Sequence, residues 1–101
     1  MDSLFSLAGK RAVITGCATG IGKGMAAGLA RTGFIPFVNT FAVFLTARGA
    51  DPIQSLIAYD KLNVKLCGAY CGLSDSYDGA SHQAITDMAF VRSIPNMTVI
   101  S

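Results

Sequence analysis

The chain has 101 residues, of which 51% are hydrophobic and 14% charged, and its formal net charge at pH 7 is +2. This length is enough for one small domain and too little for two, and the apolar composition excludes a disordered chain. The small net charge, with no run of Lys or Arg, excludes a basic patch for nucleic acid. A chain this short and apolar would expose a large hydrophobic surface if it stayed monomeric. We therefore expect it to belong to a larger assembly.

The sequence predicts a soluble, cytoplasmic protein that does not enter a membrane. Asp2 stands where a secretory signal would begin with positive charge. The longest apolar stretch, residues 34–47, contains Pro36 and Asn39 and is too short to cross a bilayer.

The cysteines favour a reducing compartment, because their odd number gives no paired framework. The three are Cys17, Cys67 and Cys71. Cys67 and Cys71 resemble half of a metal site, but no second Cys or His pair completes it. We therefore expect ordinary small buried side chains here and no metal ligands.

The first part of the chain alternates predicted strands and helices. A β-branched run over residues 10–15 predicts a buried strand, and residues 20–31 predict a helix that Gly33 ends. Residues 37–39 predict a second strand after Pro36. The predicted helix carries an apolar stripe formed by Ile21, Met25 and Leu29.

The same alternation continues to the end of the chain. Residues 41–59 have apolar side chains at helical spacing, and Asp51-Pro52 predicts a capped restart of the helix. The later predicted elements are a strand over 63–69, a loop over 70–80, a helix over 81–93 and a strand over 97–100. This order predicts an α/β fold, a short and mostly parallel sheet with alternating helices, as an incomplete fragment of a larger domain.

Gly16, Gly20 and Gly22 lie between the first predicted strand and the first predicted helix. Glycines at this spacing let the backbone turn tightly and let a pyrophosphate approach the helix N-terminus. The run from Thr15 to Gly22 resembles the nucleotide loop of the short-chain dehydrogenase/reductase family, over about the first third of the chain. The resemblance implies NAD(P) binding at these glycines. The alternative is a strand–helix turn that has kept its glycines.

The catalytic residues of that dehydrogenase family are not found. The family needs a Tyr followed four residues later by Lys, but here the residues at that offset are Asn63, Ser74 and Ser81. The acidic residue expected after the second strand is replaced by Asn39 and Thr40. The chain could therefore be a remnant of an NAD(P)-dependent dehydrogenase, and this alternative implies that it has lost the acid–base residues of the family.

The rest of the chain, residues 34–101, resembles the pyrimidine-binding domain of transketolases, and closely the C-terminal section of split bacterial transketolases. The matching segments, in order, are residues 35–44, 55–59, 62–65, 72–74, 78–83 and 92–100. The resemblance implies thiamine diphosphate as the cofactor. It also implies transfer of a two-carbon ketol unit between sugar phosphates.

The resemblance also implies roles for four side chains. Phe41 and Phe44 would pack on the aminopyrimidine, which needs flat apolar partners. Asp78 would contact a substrate hydroxyl, and His82 would lie beside the thiazolium and move protons as a catalytic group. The alternatives are two core aromatics, a turn residue and a locally bonded histidine. Tyr70 stands where many transketolases have another histidine.

Two parts of the transketolase site are missing. The family's activating glutamate falls on Thr19, which cannot share a proton with the pyrimidine as a carboxylate does. The metal and diphosphate motif of the family lies on another domain, so Mg²⁺ is expected from a partner: a transketolase N-terminal section or a second copy of the chain. We expect no activity from the chain alone, and whether it is an enzyme stays open.

The two resemblances divide the chain into residues 1–33, a strand–loop–helix like that of a dehydrogenase, and residues 34–101, a fragment of a pyrimidine-binding domain. The helix from Met25 to Gly33 fits either family. One hypothesis is a fusion across this shared helix. A further alternative is then a fusion product without function.

Overall fold

In the computed structural model, the described residues are 6, 8–14, 16 and 20–101. The first helix, α1, is Gly20–Arg31, as predicted. Gly33 has a left-handed φ of 94°, which glycine adopts without a steric penalty, and its N–H donates to the Ala30 carbonyl. Both the bounds of the helix and its predicted stop are confirmed.

The buried face of α1 is not the predicted apolar stripe. Ile21 is 75% exposed and Met25 is 53% exposed. The buried residues of the helix are instead Gly22, Lys23, Ala26 and Ala27. The prediction of the stripe was wrong, because periodicity shows which residues share a face and not which face the rest of the chain covers.

Two parallel strands form the sheet, β1 (Phe37–Phe41) and β2 (Lys65–Ala69). Phe37 pairs with Lys65 at one end of the ladder, and Phe41 pairs with Ala69 at the other. Both strands were predicted, although β1 is longer and β2 shorter than expected. The parallel pairing and the alternation with helices confirm the predicted α/β class.

The crossover between the strands is mostly helical. It contains α2 (Ala42–Thr46), α3 (Ala50–Pro52) and a π-helix that continues α3 (Ile53–Ala58). Gly49 is the N-cap of α3, so the helix restarts slightly before the predicted Asp51-Pro52. The proline is accommodated there because N–H groups in the first turn have no helical partner.

Two glycines allow the elements around α2 to pack closely. A Cβ on Gly49 would overlap Nζ of the buried Lys23 and would lie 2.9 Å from the Leu45 carbonyl oxygen. A Cβ on Gly68, in β2, would lie 3.1 Å from Cβ of Ala42. Gly68 therefore lets the start of α2 approach the sheet and fixes where the chain leaves β1.

The hydrophobic core lies between α1, the crossover and the sheet. Its buried members are Ala26, Val38, Leu45, Ile53, Ala58 and Ile94. Asn96 donates a side-chain hydrogen bond of 3.1 Å to the carbonyl of Ala58, which ties the C-terminal residues to the end of the π-helix. Phe41 and Phe44 are outside this core cluster, which weakens the alternative that they are plain core residues.

The predicted helix over residues 81–93 is mostly wrong. Its second half forms α4 (Asp87–Arg92), but Gly79–Ser81 is a 3₁₀ turn. Ala84 forms bridges with both Cys71 and Gly72. These bridges hold the backbone extended at Ala84, so the helix cannot begin before that point.

The predicted strands at the two ends of the chain are wrong within the described residues. Residues 10–14 are not a strand, and Thr15 lies outside the described part. Residues 97–100 are also not a strand, although Met97 packs against the core. A β-branched run favours extended backbone, but only a neighbouring strand makes it part of a sheet. In the described part of the chain, no helix combines the length and hydropathy needed to cross a bilayer.

Candidate functional site

Two of the predicted site residues meet where β1 turns into α2. Phe41 ends the strand with extended backbone (φ −58°, ψ 139°), and Phe44 follows within the first turn of the helix. Their ring centroids are 5.5 Å apart and the ring planes differ by 21°, so the rings stack. Both side chains are half-buried. The strand–helix turn thus presents a paired aromatic surface.

His82 and Tyr70 complete what we call the aromatic cluster: Phe41, Phe44, Tyr70 and His82. The imidazole stands nearly perpendicular to both phenyl rings, with centroids 5.7 Å from Phe41 and 5.0 Å from Phe44. The Tyr70 ring lies 4.9 Å from Phe41 at 65°. Edge-to-face pairs of this kind are favourable because the ring edge is positive and the face negative.

A closed loop delivers His82 to this position. Gly72 and Ala84 exchange backbone hydrogen bonds of 2.8 and 3.1 Å, which join the two ends of the loop. Within the loop, the buried Asp75 accepts the Asp78 N–H on its carboxylate at 3.3 Å. The Asp75 carbonyl accepts the Gln83 side-chain amide, also at 3.3 Å. Asp75 therefore holds the turn that contains both predicted catalytic residues.

Asp78 and His82 are close in sequence but differ in environment. Asp78 precedes the 3₁₀ turn and its side chain is exposed to solvent. His82 is half-buried, and its Nδ1 lies 2.8 Å from Oγ of Ser81, a hydrogen bond whose direction depends on the tautomer. The structure thus brings His82 into the aromatic cluster and leaves the Asp78 side chain exposed to solvent.

Sequence reasoning missed Arg48, which contacts the same cluster. Its guanidinium carbon lies 4.5 Å from the centroid of the Phe44 ring. The guanidinium also donates a 3.0 Å hydrogen bond to the carbonyl of Ser81. The helical spacing from Phe44 to Arg48 was a usable signal, since residues four apart share a face.

The structure describes the three glycines of the predicted nucleotide loop but not every residue between them. Gly16 is exposed and has a φ of 74°. Gly20 begins α1, and Gly22 is buried within it. Residues 17–19 between them lie outside the described part, and so does Thr19, the position predicted for the activating glutamate. The 101 residues contain no glutamate, since all six acidic residues are aspartates.

The aromatic cluster fits one part of thiamine diphosphate. Partly exposed, stacked rings beside an imidazole match a flat aminopyrimidine. The described residues do not form a site for the metal, because no group of three or more His, Cys, Asp or Glu comes together among them. Two cavities, of about 360 and 940 Å³, lie elsewhere: one between residues 10–14 and β1, the other between β2 and the C-terminal residues.

Cys71 lies next to the loop closure, and both it and Cys67 are exposed, so the prediction of buried cysteines was wrong. Desolvation, the negative charge of Asp87 and a hydrogen bond to its carboxylate all raise the pKa of the Cys71 thiol. Less thiolate then forms at a given pH, and thiolate is the reactive species. Asp87→Asn should lower this pKa and speed alkylation of Cys71 by iodoacetamide near pH 8. Peptide mass spectrometry measures it, with Cys67 as internal control; equal acceleration at both thiols would contradict the assignment to Asp87.

The comparison with known protein families identifies the type of domain that contains these features. The family model "Transketolase, pyrimidine binding domain" matches residues 22–101. The chain belongs to the transketolase pyrimidine-binding domain family. The match includes all of the aromatic cluster and most of α1. It supports the resemblance seen over residues 34–101 and gives no support to a dehydrogenase origin for α1.

Individual relatives agree with this family. A Methanocaldococcus jannaschii protein named as a transketolase C-terminal section is 50% identical over 78 residues, 77% of this chain and 25% of that protein. The 1-deoxy-D-xylulose-5-phosphate synthase of Bacteroides fragilis is 37% identical over all 101 residues, 15% of that enzyme. A solved split-gene transketolase, described as an inactive beta4 tetramer, is 47% identical and has a TM-score of 0.65 over 76% of this chain and 24% of its own.

The chain thus spans a quarter or less of these relatives, which confirms that it corresponds to a fragment of a larger protein. The pyrimidine-binding domain is what they share with it. Their names carry two different activities, a transketolase and a synthase. Membership of the family therefore leaves the reaction to be proposed.

Proposed function

We propose that this chain supplies the pyrimidine-binding half of a thiamine diphosphate site in a transketolase, which transfers a two-carbon ketol unit between sugar phosphates. The aromatic cluster at the strand–helix turn carries this proposal. Phe41 and Phe44 stack at 5.5 Å, and His82 stands against both rings. This arrangement offers a flat apolar surface and a titratable group at one place.

Each residue then has a distinct task. Phe41 and Phe44 bind and orient the aminopyrimidine. His82, with its Nδ1 near the Ser81 hydroxyl, moves a proton beside the reacting carbon. The exposed Asp78 carboxylate accepts a hydrogen bond from a hydroxyl of the sugar phosphate. When bound, thiamine diphosphate supplies the nucleophilic carbon that accepts the two-carbon unit.

We place the other half of the site on a partner, because the described residues bring together no group of three or more His, Cys, Asp or Glu that could hold Mg²⁺. A transketolase N-terminal section would provide the groups for Mg²⁺ and diphosphate, and a second copy of the chain is the other candidate partner. With Thr19 in place of the activating glutamate, the proposal requires that glutamate to come from elsewhere in the assembly or the site to be inactive. We place the assembly in the cytoplasm, in keeping with the free thiols of Cys67 and Cys71 in the described part of the chain.

Isothermal titration calorimetry tests the proposal. Thiamine diphosphate with Mg²⁺ is titrated into the chain alone and into the chain mixed with a transketolase N-terminal section, and NADPH is titrated in parallel. We expect thiamine diphosphate binding that exceeds the sum of the two separate sections, and no NADPH binding. A mixture that binds no more than its separate components would refute the half-site, and NADPH binding would point back to the glycine loop.

A further inference from the structure

Arg48 lies two residues beyond the end of α2 and contacts two neighbours of His82, the Phe44 ring and the Ser81 carbonyl. The last turn places it there, since its N–H donates to the Val43 carbonyl at 3.4 Å. Its guanidinium covers the Phe44 ring at 4.5 Å and donates to the Ser81 carbonyl at 3.0 Å. One of these partners stacks against the imidazole, and the other immediately precedes His82 in sequence.

The contact joins two segments that nothing local would hold together. Arg48 and Ser81 are 33 residues apart in sequence. A guanidinium is planar, so it can lie on a phenyl face and still direct N–H groups sideways to a carbonyl. A lysine in the same place has the charge but no plane and no fixed fork of donors.

The internal hydrogen bonds of the loop act on other parts of it. Asp75 holds the backbone of Asp78 and the side chain of Gln83, while the Gly72–Ala84 bridge closes the base. These bonds shape the loop. The Arg48 bond instead fastens the loop to the segment that follows α2, at the carbonyl next to His82.

We propose that Arg48 is a positioning residue for His82: by covering Phe44 and holding the Ser81 carbonyl, it keeps the imidazole against the stacked phenyl rings. The catalytic meaning of that position rests on the proposed function above. The positioning itself does not, and it exists in the chain without cofactor or partner.

The sequence makes a direct spectroscopic test possible, because His82 is the one histidine among the 101 residues. Its ring protons therefore give unambiguous NMR signals. An imidazole held near two phenyl rings shows ring-current shifts and nuclear Overhauser contacts to those rings. Wild type, Arg48→Ala and Arg48→Lys are compared, all without cofactor. Arg92→Ala is the matched control, since it removes an equal charge from the exposed last turn of α4.

We expect Arg48→Ala to lose most of the ring-current shift and the contacts from His82 to Phe44, while core signals from Val38 and Ile53 stay in place. Arg48→Lys should restore little of either, and Arg92→Ala should change neither. Unchanged His82 signals in Arg48→Ala would overturn the proposal, and full rescue by lysine would overturn the role of the planar group. If Arg48→Ala unfolds, Arg48→Gln, which keeps most of the stem, is read by the same criteria.

The outcome is separable from that of the calorimetry. Loss of His82 positioning in Arg48→Ala, together with no thiamine diphosphate binding by the wild-type mixture, would leave Arg48 assigned and the cofactor rejected. The opposite pair of results would keep the half-site and reject Arg48.

Discussion

Phe41→Ala should weaken thiamine diphosphate binding by the chain and its partner section about 10- to 100-fold, since stacking of one base on an aromatic side chain is worth about 1–3 kcal/mol. Phe41 is the residue most central to the aromatic cluster, because its ring contacts those of Phe44, Tyr70 and His82. Removing it takes away a stacking surface and also the support for the other three rings.

Calorimetry on the mixture of the two sections measures this loss. Phe37→Ala is the matched control, because it deletes the same side chain from the other end of β1, where Phe37 is 71% exposed and outside the aromatic cluster. Affinity should stay near wild type in that control. Equal losses in both variants would show that the effect comes from the strand as a whole, and wild-type affinity in Phe41→Ala would remove the phenyl ring from the site.

Ile53→Ala should have the largest effect on stability, lowering the free energy of unfolding by about 2–5 kcal/mol. Ile53 is fully buried at the start of the π-helix and belongs to the core cluster. Its removal loses the transfer free energy of the side chain and leaves a cavity that close-packed neighbours fill only in part. The total free energy of unfolding of a small domain is about 5–15 kcal/mol. We therefore expect a clearly larger unfolded population of this variant at 37 °C.

Urea denaturation followed by circular dichroism measures this change. Ile85→Ala serves as control, since Ile85 is 77% exposed and should shift the free energy of unfolding by less than about 0.5 kcal/mol. Both variants lose the same atoms and differ in burial. Equal destabilisation by the two would mean that the described core does not stabilise the chain.

The parts of the fold with a local cause were predictable. The bounds of α1 and its stop at Gly33 follow from helix propensity and from the φ that only glycine adopts easily. The three-residue spacing from Phe41 to Phe44 brings their rings to one face. The approach of His82 to those rings was not predicted, since no spacing rule joins residues so far apart.

The parts that failed depend on contacts between distant segments. Residues 81–86 have helical spacing, but the bridges of Ala84 to Cys71 and Gly72 decide their conformation. The importance of Arg48 depends on a carbonyl that the fold brings beside it. Asp75 holds the loop in shape because the Gly72–Ala84 hydrogen bonds close the base of the loop and the Asp75 side chain is buried. Composition and periodicity contain no information on such contacts between segments that are distant in sequence.

The parallel pairing of β1 with β2 also bears on the order in which the chain folds. Because Phe37 pairs with Lys65 in parallel, no tight turn can join the strands, and the whole helical crossover must first return the chain to its starting edge. The entropy of closing that loop is lost before any bond of the ladder forms. We therefore expect helix formation and collapse of the crossover onto β1 to precede strand pairing, and the aromatic cluster, which needs Tyr70 beyond β2, to assemble last.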